Sequence, residues 1–416
     1  MTLTLSHLTR VFGRIGVLSF GGPAAQIALM HDALVEKEKW LTEQDFLRAL
    51  SFCMLLPGPE AMQLATYAGW RLHGTLGGLI AGALFVLPGA AVVLALAMGY
   101  AFYSDLTWVQ GAFLGIKSVV ILIVLQALFK VSKKALETPL AWALAIGAFA
   151  AIFAVGVPFP LIIGAAALIG LTQATKGTGL TPPLSHAHLP RTITLWGALW
   201  IAPIAAAFAL QAEFLTDIGL FFSKMAIVTF GGAYAVLAYM TQEVVQNYGW
   251  LSTAQMIDGL GLAETTPGPL ILVTEFVGFL AGFQERGLGM GLLAAALTLW
   301  VTFIPCFLWI FAGAPYVEHM ASAPRIEAAL KAVTAAVVGV IANLSLWFAL
   351  HVFFTTLTPT PFLNTLVPLP ALGSLSLPAL GLTALAALLS FGLRLSLPLT
   401  LVVLALAGVL VQALIL

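Results

Sequence analysis

The sequence predicts an all-α polytopic membrane protein. It would be built from two inverted-topology repeats, each with two broken or re-entrant helical segments and about four full spans, joined by a linker transmembrane helix. Three observations predict this. Of the 416 residues 61% are hydrophobic and only 8% are charged, with a mean hydropathy of +1.05. A soluble domain carries about 25% charged residues, so most of this exterior must face lipid. Second, Phe20-Gly21-Gly22, Trp40-Leu41 and Pro57-Gly58-Pro59 recur as Phe230-Gly231-Gly232, Trp250-Leu251 and Pro267-Gly268-Pro269, each 210 residues on. Third, the cations that orient the first copy have almost no counterparts in the second.

A spanning helix needs about 20 mostly apolar residues. Nine uninterrupted candidates meet or approach that length: 75–98, 107–129, 140–157, 159–172, 192–210, 288–312, 328–354, 378–393 and 397–415. Segment 159–172 is short for a span, and Pro158 and Pro160 could join it to its neighbour. Four further apolar segments, 3–34, 45–71, 217–245 and 255–283, are broken in the middle by FGG, PGP, FGG and PGP. Proline lacks an N–H and clashes with the preceding turn, and glycine permits unusual backbone angles, so these motifs stop helices. Backbone opened at membrane depth survives only inside protein or beside a water-filled cavity, which turns these four segments inward. Sequence leaves open whether each is a re-entrant hairpin or one broken span. The resulting organisation is a first repeat over 1–191, a linker helix over 192–210 and a second repeat over 211–416.

Charge placement gives orientation. Residues 1–192 hold 12 Lys and Arg against 8 Asp and Glu, a balance of +4; residues 193–416 hold 5 against 9, a balance of −4. Lys130, Lys133 and Lys134 cluster at a helix end that is placed in the cytoplasm, together with Arg71, Lys176 and Arg191. In the second copy, 245–255 has no cation where 36–48 has three, and the Pro-rich loop 355–377 has no charge; Arg286 is the exception. Halves lying upside down relative to each other explain this, with the N-terminus cytoplasmic and the C-terminus external. The first ten residues lack the small-residue cleavage site of a signal peptide. Cys53 and Cys306 occupy unrelated places in the repeat and read as packing residues. His186 and His188 form an isolated HxH, too few ligands for a metal centre. No metal, cofactor or nucleic acid is expected, since no basic solvated face exists.

The candidate site follows from the repeat. Arg14 and Lys224 each stand six residues before an FGG, about 9 Å of helix from the break. A cation at that depth costs at least about 2.5–3.5 kcal/mol, so it should face a cavity or a partner; snorkelling to the interface is the competing reading. Two cations at matched places in inverted halves would converge near the midplane and suit a dianion. The breaks add backbone N–H groups at half-helix N-termini, around Gly21 and Gly22, Gly58, Gly231 and Gly232, and Gly268, where the helix dipole also favours an anion. The competing reading is a kink and close packing without ligand. Gln63, Thr66 and Tyr67 in the first copy, and Thr229, Thr265, Thr266 and Thr274 in the second, could donate to oxygens. The acids are not repeated: Glu60, Glu264 and Glu275 have no acidic partners at aligned places. They read as proton carriers or as counter-ions to Arg14 and Lys224, and Lys117 as a further counter-ion within a span. Trp40 and Trp250 read as interfacial anchors.

On these residues the sequence resembles the chromate ion transporter family, as a long-chain two-domain member. The first half carries SFGGPAAQIALM, EKWLTEQDFLRALSFCMLLPGPEAMQLATYAGW and GALFVLPGA; the second carries FSKMAIVTFGGAYAVLAYM and GWLSTAQMIDGLGLAETTPGPLILVTEFVGF. The likeness covers nearly all of 10–345. It departs at Ala233, where the first copy has Pro23. The resemblance implies a secondary transporter, not an enzyme, that exports chromate across the bacterial inner membrane, uses the proton-motive force by antiport and confers resistance. Sulfate is the natural competitor because it is also a tetrahedral dianion. The rivals are a sulfate or other oxyanion uptake carrier, a channel, and a membrane-embedded lipid-phosphate enzyme; for the last, no Ser/His pair is repeated in the broken segments. Oligomeric state is open, a homodimer included.

Overall fold

The computed structural model describes residues 4–173, 189–230, 233–316, 324–362 and 365–415. Lys176, His186, His188, Gly231, Gly232 and His319 lie outside the described residues. In chain order the helices are α1 (Leu5–Leu18), α2 (Gly22–His31, continued by a π turn to Lys37), α3 (Glu43–Leu55), α4 (Glu60–Tyr103), α5 (Thr107–Ala135), α6 (Pro139–Ala150) and α7 (Phe159–Thr172). They continue as α8 (Leu189–Ala209), α9 (Glu213–Val228), α10 (Ala233–Gln242), α11 (Thr253–Thr265) and α12 (Val273–Gly313). The last are α13 (Pro324–Phe353), α14 (Leu377–Ala387) and α15 (Leu397–Ile415). Each of the nine uninterrupted candidates falls on a helix. Among the described residues six helices are long and apolar enough to cross a membrane, while α6, α7 and α14 are shorter. Large apolar side chains such as Leu161, Leu168, Phe208, Leu406 and Leu410 stay exposed on the outside, as a lipid-facing surface requires.

The Pro-rich stretch read as a loop over 355–377 is a correction: it contains an antiparallel β-hairpin, β1 (Leu357–Phe362) with β2 (Thr365–Pro370). Its four prolines sit in the alternate pairs Leu357↔Pro370, Pro359↔Pro368 and Pro361↔Leu366. The intervening pairs can therefore bond without a proline N–H.

The helices sort into two compact units, and each unit takes residues from both halves of the sequence. The first comprises Met1–Met98, Ala174–Ala233 and Thr266–Glu327. Here α4 reverses at His73–Gly74 and α12 at Arg286–Gly287, with nearly the same backbone angles (His73 φ −137°, ψ 29°; Arg286 φ −148°, ψ 31°). The limbs touch: a Cβ on Gly69 would lie 2.3 Å from the Gly77 carbonyl oxygen, and one on Gly282 2.6 Å from that of Met290. The first-copy broken segments also fold back. His7 lies 5.4 Å from Trp40 by ring centroid and its Nε2 is 2.8 Å from Glu38, so the chain that left along α1 has returned. Phe52 on α3 and Tyr67 on α4 are 6.3 Å apart, which a single straight span across 15 residues would forbid. Trp40 thus packs on His7 and Phe12 within this unit. The linker helix α8 packs on α9 and α12 through Trp196 against Phe307 and Phe311, and through Trp200 Nε1 donating to Ser223 Oγ.

The second unit comprises Gly99–Gln173, Tyr234–Thr265 and Ala328–Leu416. Helix α5 is its axis, packed by α11, α14 and α15. Backbones meet where α5 crosses α15: a Cβ on Gly115 would lie 1.8 Å from the Leu404 carbonyl oxygen. Small residues at such a crossing let lipid-embedded helices approach closely. Gly115→Val is expected to destabilise the protein by about 1–3 kcal/mol or more, read as a lower melting temperature in detergent. Gly147→Val, on a glycine with open space around it, is expected to leave the melt unchanged.

Candidate functional site

The site is built where helices stop. Helix α1 ends at Leu18 and α2 opens at Gly22, with Pro23 in its first turn, no side-chain cap, and positive φ at Gly21 (+86°) and Gly22 (+77°). Proline suits a first turn because its missing N–H would have no partner there. Helix α3 ends at Leu55 and α4 begins at Glu60, with Gly58 at φ +116° between them. The second PGP lies between α11 and α12, and its Gly268 has φ +89°.

These breaks are joined reciprocally inside the first unit. The Gly58 N–H donates to the Thr229 carbonyl at 2.9 Å, and the Gly268 N–H to the Ser19 carbonyl at 2.9 Å. Ser19 and Thr229 hold the same place in the two copies, as do Gly58 and Gly268. Each PGP glycine therefore binds the residue just before the other copy's FGG. The two crossings are reinforced differently. Gln26 Nε2 donates to the Gly268 carbonyl at 2.7 Å and to the Ser19 carbonyl at 3.2 Å. At the other crossing Gln63 Nε2 donates to the Pro57 carbonyl at 2.6 Å, and Cys306 packs against Gly58. Both cysteines are buried and unbridged.

The amides of Gly58 and Gly268 are thus engaged, and they frame the crossing instead of facing a guest. The hydroxyls of Thr66, Thr229, Thr265 and Thr274 each donate to a backbone carbonyl three or four residues back, and Tyr67 packs its ring on Phe52 and Trp70. Thr266 is buried. Arg14 and Lys224 are exposed. Their helices carry matching packed faces: Leu8, Phe12, Ile15 and Gly16 on α1 correspond at the 210-residue spacing to Ile218, Phe222, Met225 and Ala226 on α9. Both cations therefore lie at the same angular position, opposite the packing. Among the acids, Glu275 is 1% exposed and its Oε2 has no hydrogen-bond partner, Glu264 is buried, and Glu60 is half-buried. Among the described residues no three His, Cys, Asp or Glu side chains gather to hold a metal.

Sequence reasoning missed Ser19, Gln26 and Asp258. Ser19 and Thr229 abut the repeated FGG, a signal that was present. Asp258 is an acid within a broken apolar segment, and it pairs with Lys117 in the second unit: Nζ to Oδ1 is 2.9 Å, and the Tyr100 hydroxyl donates to Oδ2 at 2.8 Å.

The sequence profile of the family described as Chromate transporter matches residues 6–171 and 216–411. The chain belongs to the chromate transporter family. The two matched stretches of this family member hold both FGG and both PGP motifs. Curated relatives of this chromate transporter family chain include a probable chromate transport protein of Synechococcus elongatus, 34% identical over 82% of this chain and 83% of its own length. A chromate transport protein of Cupriavidus metallidurans is 33% identical over 82% and 81%, and one of Pseudomonas aeruginosa is 33% identical over 79% and 77%. These names point to a membrane-embedded transporter and not to an enzyme. No solved structure matches the chain.

Proposed function

We propose that the chain exports chromate across the bacterial inner membrane by proton antiport and so confers chromate resistance. Residues 1–191 and 211–416 form inverted repeats about the linker 192–210, with the N-terminus cytoplasmic and the C-terminus external. The dianion is neutralised by Arg14 and Lys224 and oriented by the uncapped N-terminus of α2 at Gly21 and Gly22, with Gly231 and Gly232 as the second copy's contribution. Glu60, Glu264 and Glu275 serve as proton or counter-ion groups nearby. The reading is carried by the reciprocal pair of hydrogen bonds, Gly58 to Thr229 and Gly268 to Ser19. Such an exchange ties the residue before each FGG, and hence the helix bearing each cation, to the other copy's PGP. Rocking of one repeat against the other would then expose the paired breaks to either side in turn.

Labelled chromate flux in oriented vesicles tests this. Inside-out vesicles with an acid, positive lumen, in which protons are driven outward, are expected to accumulate chromate. A pH gradient alone, with the voltage held at zero, should still drive accumulation, which separates a proton antiporter from a channel. Energised uptake into right-side-out vesicles, with sulfate preferred, would instead establish an oxyanion uptake carrier.

A further inference from the structure

The Lys117–Asp258–Tyr100 cluster lies apart from the two crossings in sequence, and it lines a cavity of about 380 Å³ within the second unit. Tyr100, Ser104, Asp105, Gln110, Lys117 and Asp258 line that cavity. The Asp258 side chain is 8% exposed and that of Lys117 21%. Taking two charges so far out of water costs several kcal/mol per ion by rough reckoning, and the pair persists only because both carboxylate oxygens are engaged. A purely structural tie would need no access from outside. This one lines a cavity that is partly open to the outside.

The charge lining the cavity decides what enters it. Asp105 and Asp258 stand against Lys117 alone, an excess of one negative charge that repels a dianion and draws in cations and protons. A metal cation would need more oxygen ligands than two acids, one already paired with an ammonium group. The remaining charged and titratable groups facing Asp258 are accounted for: Lys117 from α5, Tyr100 from the end of α4, and Asp105 from the turn that follows. Helices α14 and α15, which also pack on α5, carry no ionisable side chain, and Glu264 lies six residues further along α11.

Resting on the antiport reading above, we propose that Asp258 is the residue through which the driving proton enters, with Lys117 as the counter-ion it releases. A proton on Asp258 removes its charge and with it the attraction that ties α11 to α5. Helix α11 runs directly into Pro267-Gly268-Pro269, so its release acts along the chain on the glycine that forms one of the two crossings. Loss of the proton restores the pair.

The test uses purified full-length protein in proteoliposomes, with chromate and sulfate as probes and two modes of flux. Exchange of labelled for unlabelled chromate at equal pH needs no net proton movement, whereas accumulation driven by an imposed pH gradient does. Asp258→Asn is expected to lose gradient-driven accumulation by about 5- to 150-fold, the range of a typical coupling free energy, and to keep exchange near the wild-type rate. Asp258→Glu should restore the drive with a displaced pH profile. Where Asp258→Asn leaves Lys117 stranded and the protein fails to fold, the doubly neutral Lys117→Met/Asp258→Leu variant replaces it with the same expectation. Gradient-driven accumulation intact in either neutral variant overturns the assignment. So does an equal loss of both modes in folded protein, which would mark the pair as structural. A wild-type protein that exchanges neither anion overturns the antiport reading itself, a separate outcome.

Discussion

Arg14→Ala and Lys224→Ala are each expected to weaken chromate transport by about 10- to 100-fold in apparent affinity, the value of one charge-assisted hydrogen bond to a dianion. The two losses should be similar, because the residues hold equivalent places on helices whose packed faces correspond residue by residue. The double variant should show no saturable transport. Both side chains are exposed, so their removal leaves no cavity, and stability should change by no more than a surface ion pair is worth, about 0–1 kcal/mol. Arg14→Lys and Lys224→Arg should retain most of the activity, since each keeps its charge. The check is initial-rate flux against chromate concentration in vesicles, with sulfate as competitor. Unchanged kinetics in the double variant would place both cations at the lipid headgroups and remove them from the site.

Gly58→Ala and Gly268→Ala carry the next largest effect. Each glycine has a positive φ that costs other residues roughly 1–2 kcal/mol, and each amide makes one of the reciprocal bonds. Space is also short. A Cβ at Gly58 would meet Cys306 Sγ and Gln63 Nε2, both at 2.9 Å, and one at Gly268 would lie 2.8 Å from Leu272 Cδ1 and 3.3 Å from Gly89 Cα. Both variants should lose transport by more than about tenfold, since the strain adds to a weakened crossing bond. Gly74→Ala serves as the comparison: its φ is also positive but nothing lies within 4 Å of its Cβ position. A clearly milder loss there would assign the effect to the crossing, and equal losses at all three would assign it to backbone strain alone. The measurement is flux per folded protein, with folding followed by thermal melts.

Much of the fold was legible because a membrane simplifies the code. Long apolar runs mark helices, and all nine uninterrupted runs fall on helices. Glycine and proline at the motifs foretold helix ends for a reason that is local, the absent N–H and the positive φ. What sequence could not supply was the direction of the chain after each break. Contacts such as Phe52 with Tyr67 decide it, since they join residues on either side of a turn. The β-hairpin was hidden by its prolines, which normally argue against strands and here occupy only alternate pairs. At the candidate site, residue types pointed to anion chemistry, but hydrogen-bond partners did not follow from them. Gly58 and Gly268 carry amides that are spent on the opposite copy, and the threonine hydroxyls turn back to backbone carbonyls three or four residues away. Asp258 was overlooked because it is not repeated and belongs to neither motif, although its charge in an apolar helix was itself the clue.

The central claim is that the cations of the two copies meet one dianion at the paired breaks. Chromium scatters X-rays anomalously, so crystals of the protein grown in lipid with chromate locate the anion directly. The account predicts a single chromium site beside the Gly21–Gly22 turn, with chromate oxygens within about 4 Å of both the Arg14 guanidinium and the Lys224 ammonium. A chromium site elsewhere, with both side chains extended toward the membrane surface, would contradict it.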